Sequence, residues 1–142
     1  YETALNWLFD RQQAGGIELK ATCAPHHRRV SQQRGGQVPM PIGTAGRGCL
    51  AGSGIVFVAR DGEVFPCGYL PVSCGSVRRT PLAEIWRRSP ILAELRDPER
   101  LKGKCGRCEY KYVCGGCRAR AYAATGDYLA EEPQCAYEPG AD

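Results

Sequence analysis

The chain has 142 residues, 43% of them hydrophobic and 24% charged, and carries a net charge of +4. That length holds one domain or a little more, and no run approaches the roughly 18 apolar residues a membrane-spanning helix needs. The charge is mild, scattered and unaccompanied by a nucleic-acid reading motif, so neither a nucleic-acid partner nor a membrane is expected.

In chain order, residues 3–14 place Leu5, Leu8 and Phe9 on one helical face with Trp7 close by. Gly15-Gly16 stops that helix, and Ile17-Glu18-Leu19-Lys20 alternates as a short strand. This helix–strand unit has no core of its own. The apolar face of residues 1–48 is expected to lack a covering partner, so a version starting near Arg47 is expected to be the more soluble. Residues 31–48 are rich in Gln, Gly, Pro and Arg and read as a linker. Ile55–Val58 reads as a strand, Asp61-Gly62 as a hairpin turn, and Val64-Phe65 as the return strand leading to Pro66-Cys67. Thr80 is the expected cap of a helix with Pro81 at its first position and Leu82, Ile85 and Trp86 on its apolar face. Ser89-Pro90 repeats the start signal ahead of Ile91, Leu92 and Leu95, giving two short helices joined at a bend. Arg118–Thr125 is the last predicted helix, ended by Gly126.

The cysteines carry most of the information. There are nine, an odd count that suits a secreted disulfide framework poorly, and no basic, apolar, small-residue export signal begins the chain. Metal-bound thiolates in a reducing cytoplasm are the better reading. Cys105, Cys108, Cys114 and Cys117 form a C-x2-C-x5-C-x2-C array set among Lys, Arg, Gly and Glu, where no core exists to hide four free thiols. Four cysteines suit either a structural zinc ion or an iron–sulfur cluster. The five residues from Glu109 to Val113 are short for a zinc ribbon. Cys49 and Cys67 flank the predicted hairpin and Cys135 follows the last helix, so seven thiols exceed one site and two are implied.

The ordered pattern Cys49, Gly62, Cys67, the four-cysteine array and Cys135 resembles the SPASM domain of radical S-adenosylmethionine enzymes. The usual pattern has three residues between the last two cysteines of the array, whereas Cys114 and Cys117 are separated by two. The text CGRCEYKYVCGGCRARAYAATGDYLAEEPQC looks closest to the branch that modifies tetrapyrroles, and Ala24–Val30 looks like the end of the radical enzyme's barrel in such relatives. The resemblance implies an α+β fold. Residues 1–30 would be the last helix–strand unit of a partial α/β barrel, 31–48 a linker, and 49–139 a small cysteine-rich domain with a β-hairpin and short helices.

By the same resemblance, Cys49, Cys67 and Cys117 hold a proximal auxiliary cluster and Cys105, Cys108, Cys114 and Cys135 a distal one, both of 4Fe–4S type. One proximal iron position is then left for Cys23, Cys74, a substrate or solvent. The chain has no C-x3-C-x2-C motif and starts at Tyr1 rather than Met. S-adenosylmethionine, a third 4Fe–4S cluster and radical generation are therefore expected in a preceding region, and no catalytic residue is expected here. The implied role is electron transfer and placement of a tetrapyrrole or peptide substrate, with ferredoxin or flavodoxin as electron donor. The alternative is a non-catalytic zinc-binding interaction module. Lys104, Arg107, Lys111, Arg118 and Arg120 stand where they would balance cluster charge, and Gly115-Gly116 gives the backbone room to approach. His26 and His27 read by default as hydrogen-bonded surface residues.

Overall fold

The computed structural model describes residues 1–16, 18–19, 21–36 and 46–140. Helix α1 spans Glu2–Ala14 and ends at Gly15, whose φ of 72° a side chain would resist. Helix α2, His26–Gln33, lies against it. Leu5 and Phe9, one turn apart on α1, are 1% and 5% exposed and close on Val30 of α2, with Ala24 alongside. Arg29 of α2 forks onto both carboxylate oxygens of Glu2 at 2.8 and 2.6 Å, and Arg34 pairs with Asp10 at 2.7 Å.

This pair corrects the expectation of an uncovered apolar face. Leu5 and Phe9 are covered, Leu8 is half-buried, and only Trp7 stands out at 58% exposure. The cover is a helix that the sequence reading missed, because its buried face is His26, His27, Arg29 and Ser31 with Val30 the lone aliphatic side chain. Residues 31–33, read as the start of a linker, complete that helix, while 37–45 lie outside the described residues. Of the expected strand at 17–20, Ile17 and Lys20 also lie outside them. Glu18 and Leu19 form no strand, and the Leu19 carbonyl instead accepts from Gln12 Nε2 at 2.8 Å.

The α1–α2 pair is seated on the cysteine-rich part. Arg120 donates to the Cys23 carbonyl and the Tyr1 hydroxyl, both at 3.4 Å, and lies over the Tyr1 ring. Gly48 is wedged in the seam, since a Cβ there would meet Pro25 at 2.7 Å, and its N–H bonds the Val113 carbonyl at 2.7 Å.

The hairpin is present but shorter than expected. Strand β1 is Phe57–Val58 and β2 is Glu63–Phe65, paired antiparallel with Phe57 opposite Phe65. Ile55 makes a lone bridge to Ala51 instead of extending β1. A third strand, β3 (Gly75–Ser76), adds to β2 in the order β1-β2-β3. Helices α3 (Leu82–Arg88) and α4 (Pro90–Arg96) follow, bent at Ser89. Pro81, not Thr80, is the N-cap residue of α3, and no side chain caps it. A proline N-cap offers no hydroxyl, so the expected Thr80 cap bond is replaced by helix bonds from Glu84 and Ile85 to the Pro81 carbonyl. Leu82 is exposed, while Ile85, Leu92 and Leu95 are buried.

A single 3-10 turn, Pro98–Arg100, leads to α5 (Gly103–Arg107) and then α6 (Arg118–Thr125). Gly126 ends α6 at φ 77° and ψ 0°, and its N–H bonds the Tyr122 carbonyl at 2.7 Å. Nothing lies within 4 Å of a Cβ added there, so Gly126→Ala meets backbone strain alone. That change is expected to cost about 1 kcal/mol, a Tm loss of roughly 2–4 °C that calorimetry reads directly. Helices and a small antiparallel sheet thus make a mixed α+β unit. Among the described residues no helix is long and apolar enough to cross a membrane.

Candidate metal centre

Four cysteines reach the wall of one cavity. Cys105 sits in α5, Cys108 terminates that helix, Cys114 lies in the turn that follows, and Cys135 comes from the C-terminal segment. The segment is drawn onto α5 by polar contacts. The Lys102 N–H donates to the Leu129 carbonyl at 2.8 Å, the Lys104 N–H to Glu131 Oε2 at 2.7 Å, and Lys104 Nζ to the Cys135 carbonyl at 2.6 Å. The cavity holds about 330 Å³ of atom-free space, part of it open to solvent, and His26, Arg29, Lys104 and Lys111 line it with the four cysteines.

Main-chain amides serve these sulfurs. The Tyr110 N–H donates to Cys108 Sγ at 3.4 Å and the Glu132 N–H to Cys105 Sγ at 3.3 Å, while the Cys135 thiol donates to the Tyr137 carbonyl at 3.8 Å. At Cys108 the donor lies two residues past the cysteine, so the chain folds back over its own sulfur. Cys67 repeats the turn with the Tyr69 N–H at 3.4 Å. Arg118, 3% exposed, adds Nη2 to Cys105 Sγ at 3.6 Å and fixes Nη1 on the Tyr128 and Ala130 carbonyls. N–H donors favour the thiolate form of a cysteine.

Burial works the other way. It pushes the Cys114 thiol up to about 12 against the pull of the Gly116 amide, with Cys135 and Cys105 adding to the rise. Cys108 and Cys135 are also raised, chiefly by burial. Crowded buried sulfurs with amides aimed at them are poor thiolates alone and good ones around a cationic metal centre, which deprotonates a ligating thiol. The donor set therefore fits an iron–sulfur cluster.

Cys117 borders instead the apolar cluster of Leu70, Leu95 and Ala119, where Cys67 also packs. Burial raises the Cys67 thiol, and the charges of Cys49 and Cys117 reach it. Four of the seven predicted cysteines thus line one cavity, and Cys67 and Cys117 pack together on a separate apolar cluster. The Cys74 thiol donates to the Val72 carbonyl at 3.8 Å, and Cys23 is exposed with a φ of 54°. Of the predicted cations, Lys104 and Lys111 line the cavity and Arg118 reaches a sulfur. Arg120 is occupied by Glu132, and Arg107, 62% exposed, points to Glu138. Gly116 earns its place, since a Cβ there would meet Arg118 Nη2 at 2.6 Å and Glu132 Cβ at 2.7 Å.

Two features escaped the sequence reading. Glu132 is fully buried, and its carboxylate accepts from the Cys117 N–H at 2.6 Å, Arg120 Nε at 2.9 Å and the Gln134 N–H at 3.2 Å. Burial pushes its carboxyl up, but Arg120 and the Cys117 amide pull harder and hold it below the ordinary range. Its own N–H bonds Cys105 Sγ, so this one residue touches both sets of cysteines. The histidines are the second feature and a correction: His26 and His27 are 1% and 3% exposed, not surface residues. Burial pushes His26 down to about 4, with Glu132 opposing, and lowers His27 as well. Both ring nitrogens of His26, His27 Nε2 and Arg29 Nε have no hydrogen-bond partner among the described residues. Such orphans cost about 1–3 kcal/mol each when nothing satisfies them.

The fold and the placement of the thiols define a small α+β domain with four cysteines on the wall of one cavity. The model of the SPASM family, described as an iron–sulfur cluster-binding domain, matches residues 49–109 of the chain. It is 54% identical over 147 residues to the AdoMet-dependent heme synthase of Methanosarcina barkeri, an alignment covering 99% of this chain and 42% of that protein. The AdoMet-dependent heme synthase of Nitratidesulfovibrio vulgaris is 48% identical over 146 residues, 98% of this chain and 40% of its own. The pre-heme d1 synthase of Dinoroseobacter shibae is 45% identical over 92 residues, 62% of this chain and 23% of its own. The chain thus spans about two fifths of the length of the two heme synthases.

Proposed function

We propose that this chain is the auxiliary cluster-bearing part of a radical S-adenosylmethionine maturase that modifies a tetrapyrrole of the haem pathway. Cys105, Cys108, Cys114 and Cys135 hold one 4Fe–4S cluster, and Cys49, Cys67 and Cys117 hold a second with one iron position free of these cysteines. The clusters supply one-electron transfer; the chain's residues hold them, insulate them and set their charge. The cavity lined by four cysteines, with amides on their sulfurs, carries this reading. A tetrapyrrole is favoured over a peptide because the relatives that match along nearly the whole chain are named as heme synthases.

The remaining parts of the reading rest on the likeness to these relatives. Residues up to the end of α2 at Gln33 close a partial barrel and lead on to the domain at 49–139, and S-adenosylmethionine with a third cluster belongs to a region beyond this sequence. A ferredoxin or flavodoxin supplies electrons in the cytoplasm. Anaerobic quantitation of iron, sulfide and zinc on the reconstituted chain tests the core of the proposal. About eight irons and eight sulfides per chain are expected. One zinc per site without sulfide would leave a structural zinc module instead.

A further inference from the structure

Helix α2 lies outside the matched residues 49–109, yet it presents two buried polar groups with unfilled hydrogen-bonding capacity. His26 and Arg29 are three residues apart, hence on one helix face. They are 1% and 2% exposed and both line the cavity of Cys105, Cys108, Cys114 and Cys135. Most of Arg29 is committed: Nη2 to Glu2, Nη1 to Gln33 at 2.6 Å, and its face over the Tyr137 ring at 4.9 Å. Only Nε is left over. The charge of Arg29 is felt at both Cys114 and Cys135.

For His26 the nearest charged candidate is Glu132 Oε2, 4.0 Å from Nε2 and beyond hydrogen-bond reach. That carboxylate already accepts from Cys117, Arg120 and Gln134. The edge of the Tyr1 ring closes another side of the imidazole at 5.2 Å. A ring N–H shut away from water beside four ligating sulfurs has the cluster as its remaining acceptor.

We propose that α2 is part of the cluster site, with His26 and Arg29 each donating an N–H to the cluster held by those four cysteines. The proposal rests on the ligand assignment above. Its consequence is electrochemical. A cluster bound by four thiolates gains negative charge on reduction, so N–H donors and a fixed cation stabilise the reduced form more and raise the midpoint potential.

The test is a redox titration followed by electron paramagnetic resonance, at fixed pH, on the anaerobically reconstituted protein and on His26→Leu, His26→Gln and Arg29→Met. His26→Leu is expected to shift the reduced-to-oxidised ratio of one cluster about tenfold toward oxidised, about 59 mV lower for a one-electron couple. His26→Gln, which keeps an N–H donor, is expected to recover most of that shift, and Arg29→Met to lower the same potential further. Full iron and sulfide with unchanged midpoints in His26→Leu and Arg29→Met overturns the proposal and leaves the cluster assignment standing. Missing iron and sulfide in the unmutated protein overturns the assignment, and this proposal with it. Should the variants fail to fold, pulsed resonance on unmutated protein carrying 15N-histidine decides: 15N coupling to the reduced cluster is expected, and its absence overturns the contact.

Discussion

Replacing Cys114 with alanine is expected to halve the iron and sulfide of the reconstituted chain, from about eight of each to about four. Cys114 is 8% exposed, and burial raises its thiol to about 12, with the sulfurs of Cys135 and Cys105 adding to the rise. A cubane that loses one of four thiolates in such a wall faces an apolar methyl group where a charged ligand stood. The specificity of the loss is the informative part. Cys117→Ala is expected to remove the other half, because Cys117 packs with Cys67 beside Leu70 and Ala119. Cys74→Ala is expected to leave the iron count unchanged, since that thiol donates to the Val72 carbonyl and joins neither the four-cysteine cavity nor the Cys67–Cys117 cluster. Equal iron loss in all three variants would instead mean general unfolding and would sink the two-set assignment.

The sequence announced the chemistry better than the architecture around it. Seven cysteines at ordered spacings are visible without any structure, because ligand spacing is a local property of the chain. Helix α6 was equally legible: the glycine at its C-terminus is a local signal, and both of its bounds coincide with those expected. Helix α2 was not legible. A search for apolar periodicity finds nothing in His-His-Arg-Arg-Val-Ser-Gln-Gln, because this helix buries imidazoles and a guanidinium through specific partners. The same blindness produced the uncovered face expected for Leu5 and Phe9, since the covering helix itself was invisible. Strand β3 was missed for another reason: two residues, Gly75-Ser76, form a strand only because β2 offers an open edge. Glu132 gave no signal either, as a carboxylate in the run Glu131-Glu132-Pro133 reads as solvated surface until its three donors are seen.

Glu132 carries the second large expected effect. Glu132→Ala is expected to destabilise the protein by about 3–5 kcal/mol, the usual cost of removing one member of a buried, hydrogen-bonded charge pair. The carboxylate is 0% exposed and ties together three parts of the chain. It holds the N–H of Cys117 at the start of α6, the guanidinium of Arg120 one turn on, and the N–H of Gln134 in the C-terminal segment. Arg120 in turn reaches Tyr1 and the Cys23 carbonyl, so the N-terminal helices hang partly on the same residue. Native domains have roughly 5–15 kcal/mol in all, which makes this loss a large fraction of the total.

Glu132→Gln keeps the shape and one acceptor oxygen but leaves Arg120 without a counter-charge, and about 1–3 kcal/mol is expected for it. Anaerobic urea unfolding followed by circular dichroism separates the two, with the midpoint falling further for alanine than for glutamine. Because the main chain of Glu132 donates to Cys105 Sγ while its carboxylate holds Cys117, iron is expected to fall in both clusters of Glu132→Ala. A midpoint change below about 1 kcal/mol, or iron lost from one cluster alone, would mean that the two sites are held independently and that the buried carboxylate does not join them.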